Sequence, residues 1–210
     1  MVEGRGLFIT FEGIDGSGKT TQIRKLRQML ESAGIPFEVI REPGGTMIGE
    51  KIRSILLDKV NTNMSPETEL LLYEAARAQI VSECILPALS AGRTVICDRF
   101  YDSTVAYQGY ARGLSLEAID LVNKIATGGL EPDVTFLMDM SVQEAARRLG
   151  GRKKDSDRLE SEGLSFMEKV RVGYLALSKN NARMIYLNAA APIDEVWKQI
   201  EKKVGEVLNK

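Results

Sequence analysis

The stretch that decides the fold is LFITFEGIDGSGKTT, residues 7–21. An apolar run gives way to a glycine-rich loop that ends in Gly18-Lys19-Thr20, which fits the pattern G-x-x-x-x-G-K-[ST]. Glycines allow successive backbone N–H groups to surround phosphate oxygens, and the following helix adds the positive end of its dipole. We therefore predict a P-loop that binds the phosphates of a nucleotide, formed by Gly13, Ile14, Asp15, Gly16, Ser17, Gly18, Lys19, Thr20 and Thr21.

Two side chains of the predicted P-loop are expected to bind the phosphates or the metal ion directly. Lys19 is expected to reach the β- and γ-phosphates as a mobile charge, and the hydroxyl of Thr20 is expected to ligate Mg2+. A glycine-rich turn that merely precedes a helix is the alternative, but strand, loop, Lys-Thr pair and helix occur here in the required order. The P-loop does not indicate which acceptor, if any besides water, receives the phosphoryl group.

Length and composition narrow the class of protein. With 210 residues, 44% hydrophobic and 27% charged, the chain suits one globular domain spanning residues 1–210. The formal net charge of −1 argues against nucleic acid or an anionic membrane as the main partner. Neither a bilayer-spanning apolar stretch nor a signal peptide is apparent, so a cytoplasmic location is expected. The absence of histidine excludes histidine-based triads and histidine-ligated zinc, but phosphoryl transfer needs neither.

Short apolar runs alternate with helical patterns along the whole chain. This alternation predicts an α/β fold, with a mostly parallel sheet and helices on both faces. Helix signals include Ser65-Pro66 at a start and a capping box at Ser141-x-x-Glu144. The predicted strands are residues 7–11, 37–40, 94–97, 134–138 and 184–187; the predicted helices are 19–34, 48–57, 65–91, 101–108, 116–127, 142–149, 165–179 and 193–208.

A second chemical group follows the third predicted strand, where Val95-Ile96-Cys97 leads into Asp98-Arg99. Ligands bind at the carboxyl ends of strands in open α/β sheets. Asp98 is therefore a candidate to hold Mg2+ directly or through water, and Arg99 to bridge two phosphoryl groups with its planar fork. A simple ion pair at a strand end is the alternative.

Two further stretches offer groups for a small-molecule acceptor. Arg53 follows the Arg41–Thr46 loop and is a candidate for holding an acceptor phosphate. Tyr73 and Arg77 are four residues apart and share a helix face, which suits a stacked base with an exocyclic oxygen. The same spacing also fits a core aromatic residue beside a surface charge.

One polar, glycine-led stretch interrupts the pattern at residues 150–158, within a segment of about 147–160 that carries several arginines. A loop of this kind suits a lid that closes over phosphates and delivers guanidinium groups to developing charge. An ordinary solvated connection is the alternative.

Five motifs resemble those of the bacterial thymidylate kinases, in the right order over nearly the whole chain: FEGIDGSGKTT at 11–21, REPGGT at 41–46, AARAQ at 75–79, DRFYDSTVAYQG at 98–109 and DRLE at 157–160. The resemblance implies a P-loop kinase fold with a five-stranded parallel sheet in the order 2-3-1-4-5. It also implies that ATP with Mg2+ phosphorylates dTMP to dTDP, and that the protein is a homodimer.

The resemblance also implies roles for single residues. Asp15 would accept a hydrogen bond from the sugar 3′-hydroxyl, Arg53 and Arg99 would hold the dTMP phosphate, Tyr73 would stack on thymine, and Arg77 would donate to its O4 atom. Tyr107 would pack where a ribose 2′-hydroxyl projects, while Thr104 and Gln108 would lie near the base edge. The implied substrate-binding set is Asp15, Glu42, Pro43, Arg53, Tyr73, Arg77, Arg99, Ser103, Thr104, Tyr107 and Gln108.

The catalytic arginine is the least determined part of this prediction. The P-loop has no arginine at its variable positions, so the resemblance places the catalytic cation in the lid, where the candidates are Arg147, Arg148, Arg152, Lys153 and Arg158, with Arg152 and Arg158 first. The full catalytic set is then Asp15, Lys19, Asp98, Arg99, Arg152 and Arg158, with Thr20 and Asp98 as metal ligands. Two other functions stay open at this point: a kinase for another nucleoside monophosphate or a deoxynucleoside, and a P-loop ATPase without an acceptor.

Overall fold

The computed structural model describes residues 4–150, 158–159 and 162–208. Its central sheet consists of β1 (Phe8–Glu12), β2 (Phe37–Arg41), β3 (Thr94–Asp98), β4 (Val134–Asp139) and β5 (Met184–Asn188). The strands pair in parallel in the order β2-β3-β1-β4-β5, which confirms the expected five-stranded sheet.

Every strand ends one residue later than its apolar run. The additional residues are all polar and lie at the carboxyl edge: Glu12, Arg41, Asp98, Asp139 and Asn188. The hydrophobic pattern does not show that these residues belong to the strands. Their backbone pairs within the sheet, but their side chains lie at the edge where ligands bind.

The helices confirm the predicted pattern, except that two segments predicted as α-helix are π-helical. They are α1 (Lys19–Ser32), α2 (Met47–Leu57), α3 (Pro66–Ile80), α4 (Leu86–Ser90), α5 (Tyr101–Thr104), α6 (Leu116–Thr127), α7 (Val142–Leu149), α8 (Leu164–Asn180) and α9 (Ile193–Leu208). A π-helical segment, π1 (Val81–Ile85), joins α3 to α4, and another, π2 (Val105–Ala111), continues α5. At π1, Pro87 cannot donate to the preceding turn, and the wider spacing relieves the clash that its ring would cause.

Side-chain caps begin several helices where the sequence predicts them. Ser65 precedes Pro66 and accepts a hydrogen bond from the N–H of Thr68. Ser141 accepts from the N–H of Glu144, as a capping box requires. The carboxylate of Glu144 instead accepts from Arg147 and Arg148, which draws both guanidinium groups back onto α7.

Apolar side chains fill both sides of the sheet. Ile9, Phe11 and Ile96 belong to one buried cluster, which the apolar residues of α1, α8 and α9 complete. Phe8 and Val95 belong to a second cluster, which the end of α3, π1 and α4 complete. Neighbouring residues of β1 and β3 thus enter opposite cores, which keeps the strands rigid and holds their carboxyl ends in place.

In the described parts of the chain, no helix is both long and apolar enough to cross a lipid bilayer.

Candidate active site

The loop between β1 and α1 has the backbone that a phosphate cradle needs. Gly13 has φ 132° and Gly16 has φ 84°, both in the region that favours glycine. A Cβ atom at Gly13 would lie 2.4 Å from the carbonyl oxygen of Met138, and one at Gly16 would lie 2.6 Å from that of Ala145. The loop therefore packs tightly against β4 and α7, and another residue at either position would displace it.

Lys19 lies at the start of α1 and turns back into the loop. Its ammonium group donates to the carbonyl oxygens of Gly13 at 2.9 Å and Ile14 at 3.3 Å, and it lies 3.8 Å from Asp15 Oδ1. The side chain is only 6% exposed, and burial lowers its pKa although Asp15 and Asp98 oppose the shift. This places a poorly hydrated positive charge at the cradle, where phosphate oxygens can replace the loop carbonyls as partners.

Asp98 and Thr20 meet the chemical requirements of a Mg2+ site. Asp98 Oδ1 is buried and has no hydrogen-bond partner among the described residues, and Thr20 belongs to the same cavity. Mg2+ prefers oxygen ligands and keeps several waters and substrate phosphate oxygens, so one carboxylate and one hydroxyl suffice from the protein. The described residues fit the ion in this way without a larger cluster of acidic ligands.

Arg99 has a left-handed backbone with φ 73°, which is unusual outside glycine and costs roughly 1–3 kcal/mol. Hydrogen bonds on both sides hold this conformation. Its own N–H donates to the carbonyl oxygen of Phe11, and the N–H of Phe100 donates to Glu12 Oε1 at 2.7 Å. The turn directs the guanidinium into the cavity rather than along β3.

Neighbouring side chains orient the guanidinium of Arg99. It donates to Asp15 Oδ1 at 2.8 Å and to the hydroxyl of Tyr174 at 3.0 Å, and it lies over the ring of Tyr107, 5.4 Å from the centroid. Burial would raise the pKa of Asp15, but Arg99 and Lys19 lower it to about 2. Asp15 is therefore ionised at neutral pH and connects the P-loop to Arg99.

Glu12 supports the turn at Arg99; the sequence places it in the P-loop motif but assigns it no role. Its carboxylate is fully buried and accepts from the N–H of Phe100, the hydroxyl of Ser103 at 2.6 Å and the hydroxyl of Tyr174 at 2.9 Å. Burial, with the nearby charge of Asp102, raises the pKa of Glu12 to about 7. In the sequence, Glu12 appears only as an ionisable residue at the end of the apolar run that leads into the P-loop.

This raised pKa predicts a pH effect on stability. Between pH 4.5 and about 7 the folded state keeps a proton on Glu12 that the unfolded state has lost, so stability falls as pH rises. Glu12→Gln, which cannot ionise, should reduce this decline by up to roughly 3 kcal/mol. Urea unfolding of both proteins at pH 5 and pH 7.5 measures the difference. Parallel pH profiles for the two proteins would show that Glu12 does not titrate in this range.

Arg77 is 2% exposed, so the alternative of a surface charge on α3 is wrong. Its Nε donates to Glu42 Oε2 at 2.8 Å, and its Nη1 contacts Glu74, Thr104 and Asn123. No hydrogen bond among the described residues uses Nη2, and Arg77 belongs to the cavity wall. Burial raises the pKa of Glu42 to about 7 although Arg77 opposes it. The Nη2 group of this fixed guanidinium therefore remains available to donate to a ligand.

One cavity of about 420 Å³ brings these groups together, a size typical of small-molecule sites. Its wall contains Lys19, Thr20, Asp98 and the whole implied substrate-binding set: Asp15, Glu42, Pro43, Arg53, Tyr73, Arg77, Arg99, Ser103, Thr104, Tyr107 and Gln108. Arg53 donates to the carbonyl oxygen of Pro43 at 2.8 Å, across a cis Glu42–Pro43 peptide bond. The sequence thus predicted residues from four separate motifs that the fold places around one space.

With this geometry in place, comparison with known proteins identifies the family. A sequence model described as "Thymidylate kinase" matches residues 11–200. The chain belongs to the thymidylate kinase family. A thymidylate kinase of Caldanaerobacter subterraneus subsp. tengcongensis is 52% identical over 205 residues, 97% of each chain. Proteins of the same name from Thermoanaerobacter sp. (51% identical, 97% of this chain and 100% of the relative) and Desulfosudis oleivorans (48% identical, 90% and 92%) are similar to it as well.

One predicted residue of this thymidylate kinase family member lies elsewhere. Arg158 does not belong to the cavity wall: its Nη2 donates to Glu69 at 2.6 Å and its Nε donates to the carbonyl oxygen of Leu56. The structure therefore holds this guanidinium in a buried ion pair rather than at the P-loop, because Glu69 offers it a carboxylate. Arg152 and the rest of residues 151–157 lie outside the described residues.

Five further described residues line the cavity: Arg41, Leu57, Arg148, Leu149 and Leu159. Arg41 and Leu159 belong to motifs that resemble those of the family, and Arg148 and Leu149 lie in the predicted lid segment, so only Leu57 had no signal in the sequence. Arg148 donates to the carbonyl oxygen of Ala189, after β5, and belongs to the same cavity wall as the P-loop residues. Only folding brings α7, β5 and the P-loop together, so the sequence marks Arg148 as a lid candidate without placing it in this wall.

Proposed function

We propose that the protein transfers the γ-phosphoryl group of ATP to a phosphate oxygen of dTMP, which gives dTDP and ADP. The observation that carries this proposal is the shared cavity, because a P-loop with its lysine faces Arg53, Arg99 and a buried base-reading arginine across one space. Membership of the thymidylate kinase family and the names of its relatives support dTMP as the acceptor.

The donor side holds and neutralises phosphate charge. The P-loop backbone binds the ATP phosphates while Lys19 exchanges its contacts with the Gly13 and Ile14 carbonyl oxygens for the β- and γ-phosphates. Asp98 and Thr20 would hold Mg2+, which would supply further positive charge to the phosphates when bound. Charge stabilisation and alignment are the main requirements of phosphoryl transfer, so the protein needs no covalent intermediate.

The acceptor side fixes the nucleophile. Arg53 and Arg99 bind the dTMP phosphate, and Asp15 accepts from the sugar 3′-hydroxyl while it retains Arg99 in place. Tyr73 supplies a stacking face for the base, Arg77 donates to a carbonyl oxygen of the base, and Tyr107 occupies the space that a 2′-hydroxyl requires.

ADP release from ATP and Mg2+, with one acceptor offered at a time, tests this function. The acceptors are dTMP, dUMP, dCMP, dAMP, dGMP and thymidine, with a sample lacking acceptor as the control. We expect the highest kcat/KM for dTMP and little ADP without an acceptor. Faster use of thymidine would identify a nucleoside kinase instead, and equal ADP release without acceptor would identify an ATPase.

We also propose that the lid segment supplies the catalytic cation. Since Arg158 is bound by Glu69, Arg152 is the first candidate. Arg152→Ala should lower kcat at least tenfold, ~1.4 kcal/mol of barrier, with the KM for dTMP little changed, because the guanidinium meets only transition-state charge. Steady-state kinetics measure both values. A kcat within about threefold, less than ~0.7 kcal/mol, would mean that Arg152 does not act on the transferring group.

The matched control for the lid is Arg158→Ala. This change leaves the buried carboxylate of Glu69 with fewer partners, so it should lower thermal stability more than Arg152→Ala does. A larger loss of kcat in Arg158→Ala than in Arg152→Ala, at equal stability, would return Arg158 to the catalytic set.

A homodimer is proposed through α3 and its neighbours. Leu71 on α3 is 60% exposed, as is Leu121 on α6, and Ile125 on α6 is 72% exposed. Leu121→Glu should weaken the dimer roughly 10- to 100-fold, since burying a leucine contributes about 1.5–3 kcal/mol. Light scattering after size exclusion measures the mass. Val172→Glu, at a similarly exposed position of α8, is the control, and an equal effect of both changes would place the contact elsewhere.

A further inference from the structure

Glu69 on α3 is a buried carboxylate with an unusual number of partners. It is 1% exposed, and it accepts from Gln108 Nε2 at 2.8 Å, from Arg112 Nε and Nη2 at 3.2 and 3.1 Å, and from Arg158 Nη2 at 2.6 Å. Glu69 does not belong to the cavity wall, whereas Gln108 does. It therefore lies behind a substrate-binding residue.

Two guanidinium groups keep Glu69 ionised. Burial alone would raise its pKa, but hydrogen bonds from Arg112, Gln108 and Arg158 lower the pKa below its ordinary value. An ionised carboxylate accepts hydrogen bonds and donates none. Any group that faces Glu69 must therefore present a donor.

This requirement determines which way the amide of Gln108 points. Its NH2 group must face Glu69, since the opposite orientation would bring two acceptors together inside the protein. The carbonyl oxygen Oε1 is then directed away from Glu69, and no described residue donates to it. Gln108 is itself 1% exposed, so its side chain has little freedom to turn over.

An oriented acceptor and an oriented donor thus line the same end of the cavity. Arg77 donates through Nη1 to Thr104, which precedes Gln108 by about one turn of the same helix, and keeps Nη2 for a ligand. Thymine offers an acceptor at O4 beside a donor at N3–H, which complements this pair. Cytosine offers a donor at N4 beside an acceptor at N3, which opposes it at both atoms.

We propose that Glu69 is a positioning residue for base selection, which fixes Gln108 as a hydrogen-bond acceptor so that Gln108 and Arg77 together favour thymine over cytosine. The inference rests on the proposed function. Glu69 touches no substrate, and it acts through the orientation of Gln108. A carboxylate suits this role because it is an acceptor only, whereas a glutamine at position 69 would permit both orientations.

The experiment compares kcat/KM for dTMP and dCMP in the wild-type protein, Glu69→Gln, Gln108→Met and the double variant. Glu69→Gln should lower the ratio of the two values at least tenfold, mainly through KM for dTMP, with kcat at saturation within threefold. In the Gln108→Met background the same change should alter the ratio less than twofold, because the residue through which Glu69 acts is gone.

Arg112→Met is the matched control. It removes one partner of Glu69, while the hydrogen bonds from Arg158 and Gln108 still favour its ionised form, so it should lower thermal stability while the dTMP to dCMP ratio stays within twofold of wild type. Should Glu69→Gln fail to fold, Glu69→Asp keeps the charge but withdraws the carboxylate, and it should lower the ratio at least threefold.

The outcomes separate the inference from the function. A folded Glu69 variant with the wild-type ratio, or an Arg112→Met protein with an equally reduced ratio, overturns the role of Glu69 and leaves dTMP phosphorylation intact. A wild-type protein without preference for dTMP over dCMP overturns the proposed function and the inference together.

Discussion

Lys19→Ala is expected to lower kcat at least a hundredfold, which corresponds to ~3 kcal/mol or more of lost transition-state stabilisation. Lys19 is 6% exposed, and a positive charge that is largely shielded from water interacts strongly with phosphate oxygens. Its hydrogen-bond partners are two carbonyl oxygens of the loop, and it lies 3.8 Å from Asp15 Oδ1. The substitution should therefore affect catalysis far more than folding.

ADP release at saturating ATP and dTMP measures this effect, and thermal unfolding checks that the protein remains folded. Lys25→Ala is the matched control, because Lys25 lies on the same helix but pairs with Asp194 of α9 outside the cavity. We expect its kcat to stay within threefold of wild type. Near-normal turnover of Lys19→Ala would refute the assigned role of the P-loop lysine.

Arg77→Ala is expected to reduce the free energy of unfolding by about 3–5 kcal/mol, because it leaves the buried carboxyl groups of Glu42 and Glu74 without their cation. The deficit should shrink as pH falls through about 7, because the pKa of Glu42 is about 7 even beside Arg77 and rises further without it, so protonation then removes the unpaired charge. The same variant should bind dTMP more weakly by roughly 1.5–3 kcal/mol, with ATP affinity much less affected, because a donor to the base is lost.

Urea unfolding at pH 5.5 and 7.5 and calorimetric titration with each nucleotide measure the two effects of Arg77→Ala. Lys124→Ala is the control, since Lys124 forms an ion pair with Asp120 that is exposed to water and therefore contributes little to stability. Equal stability losses in the two variants would show that the buried cluster does not depend on Arg77. Equal losses of ATP and dTMP affinity would make Arg77 structural only.

Ion pairs, most of them buried, organise much of the site. Asp15 holds Arg99, Glu42 and Glu74 hold Arg77, and Glu69 holds Arg112 and Arg158. Such pairs contribute little net stability, because desolvation offsets their attraction. They do keep donors and acceptors in fixed directions, which lowers the entropic cost of binding a nucleotide in one orientation.

The sequence by itself predicted the P-loop and the alternation of strands and helices, while the resemblance to the family predicted the residues around the acceptor. These features are local, since a glycine-rich turn, a capping serine and an apolar run depend only on neighbouring residues. The motif at 98–109 likewise contributed Arg99, Thr104, Tyr107 and Gln108 to one cavity wall.

Tertiary structure alone decided how these side chains are paired. Whether Arg77 is a surface charge or a buried donor depends on Glu42, which lies 35 residues away, and whether Arg158 reaches the P-loop depends on Glu69, 89 residues away. The role of Glu12 likewise depends on distant residues, since it accepts hydrogen bonds from Phe100, Ser103 and Tyr174. Spacing and hydrophobic pattern carry no information on such contacts, because burial and the choice of a charged partner arise only when distant segments pack together.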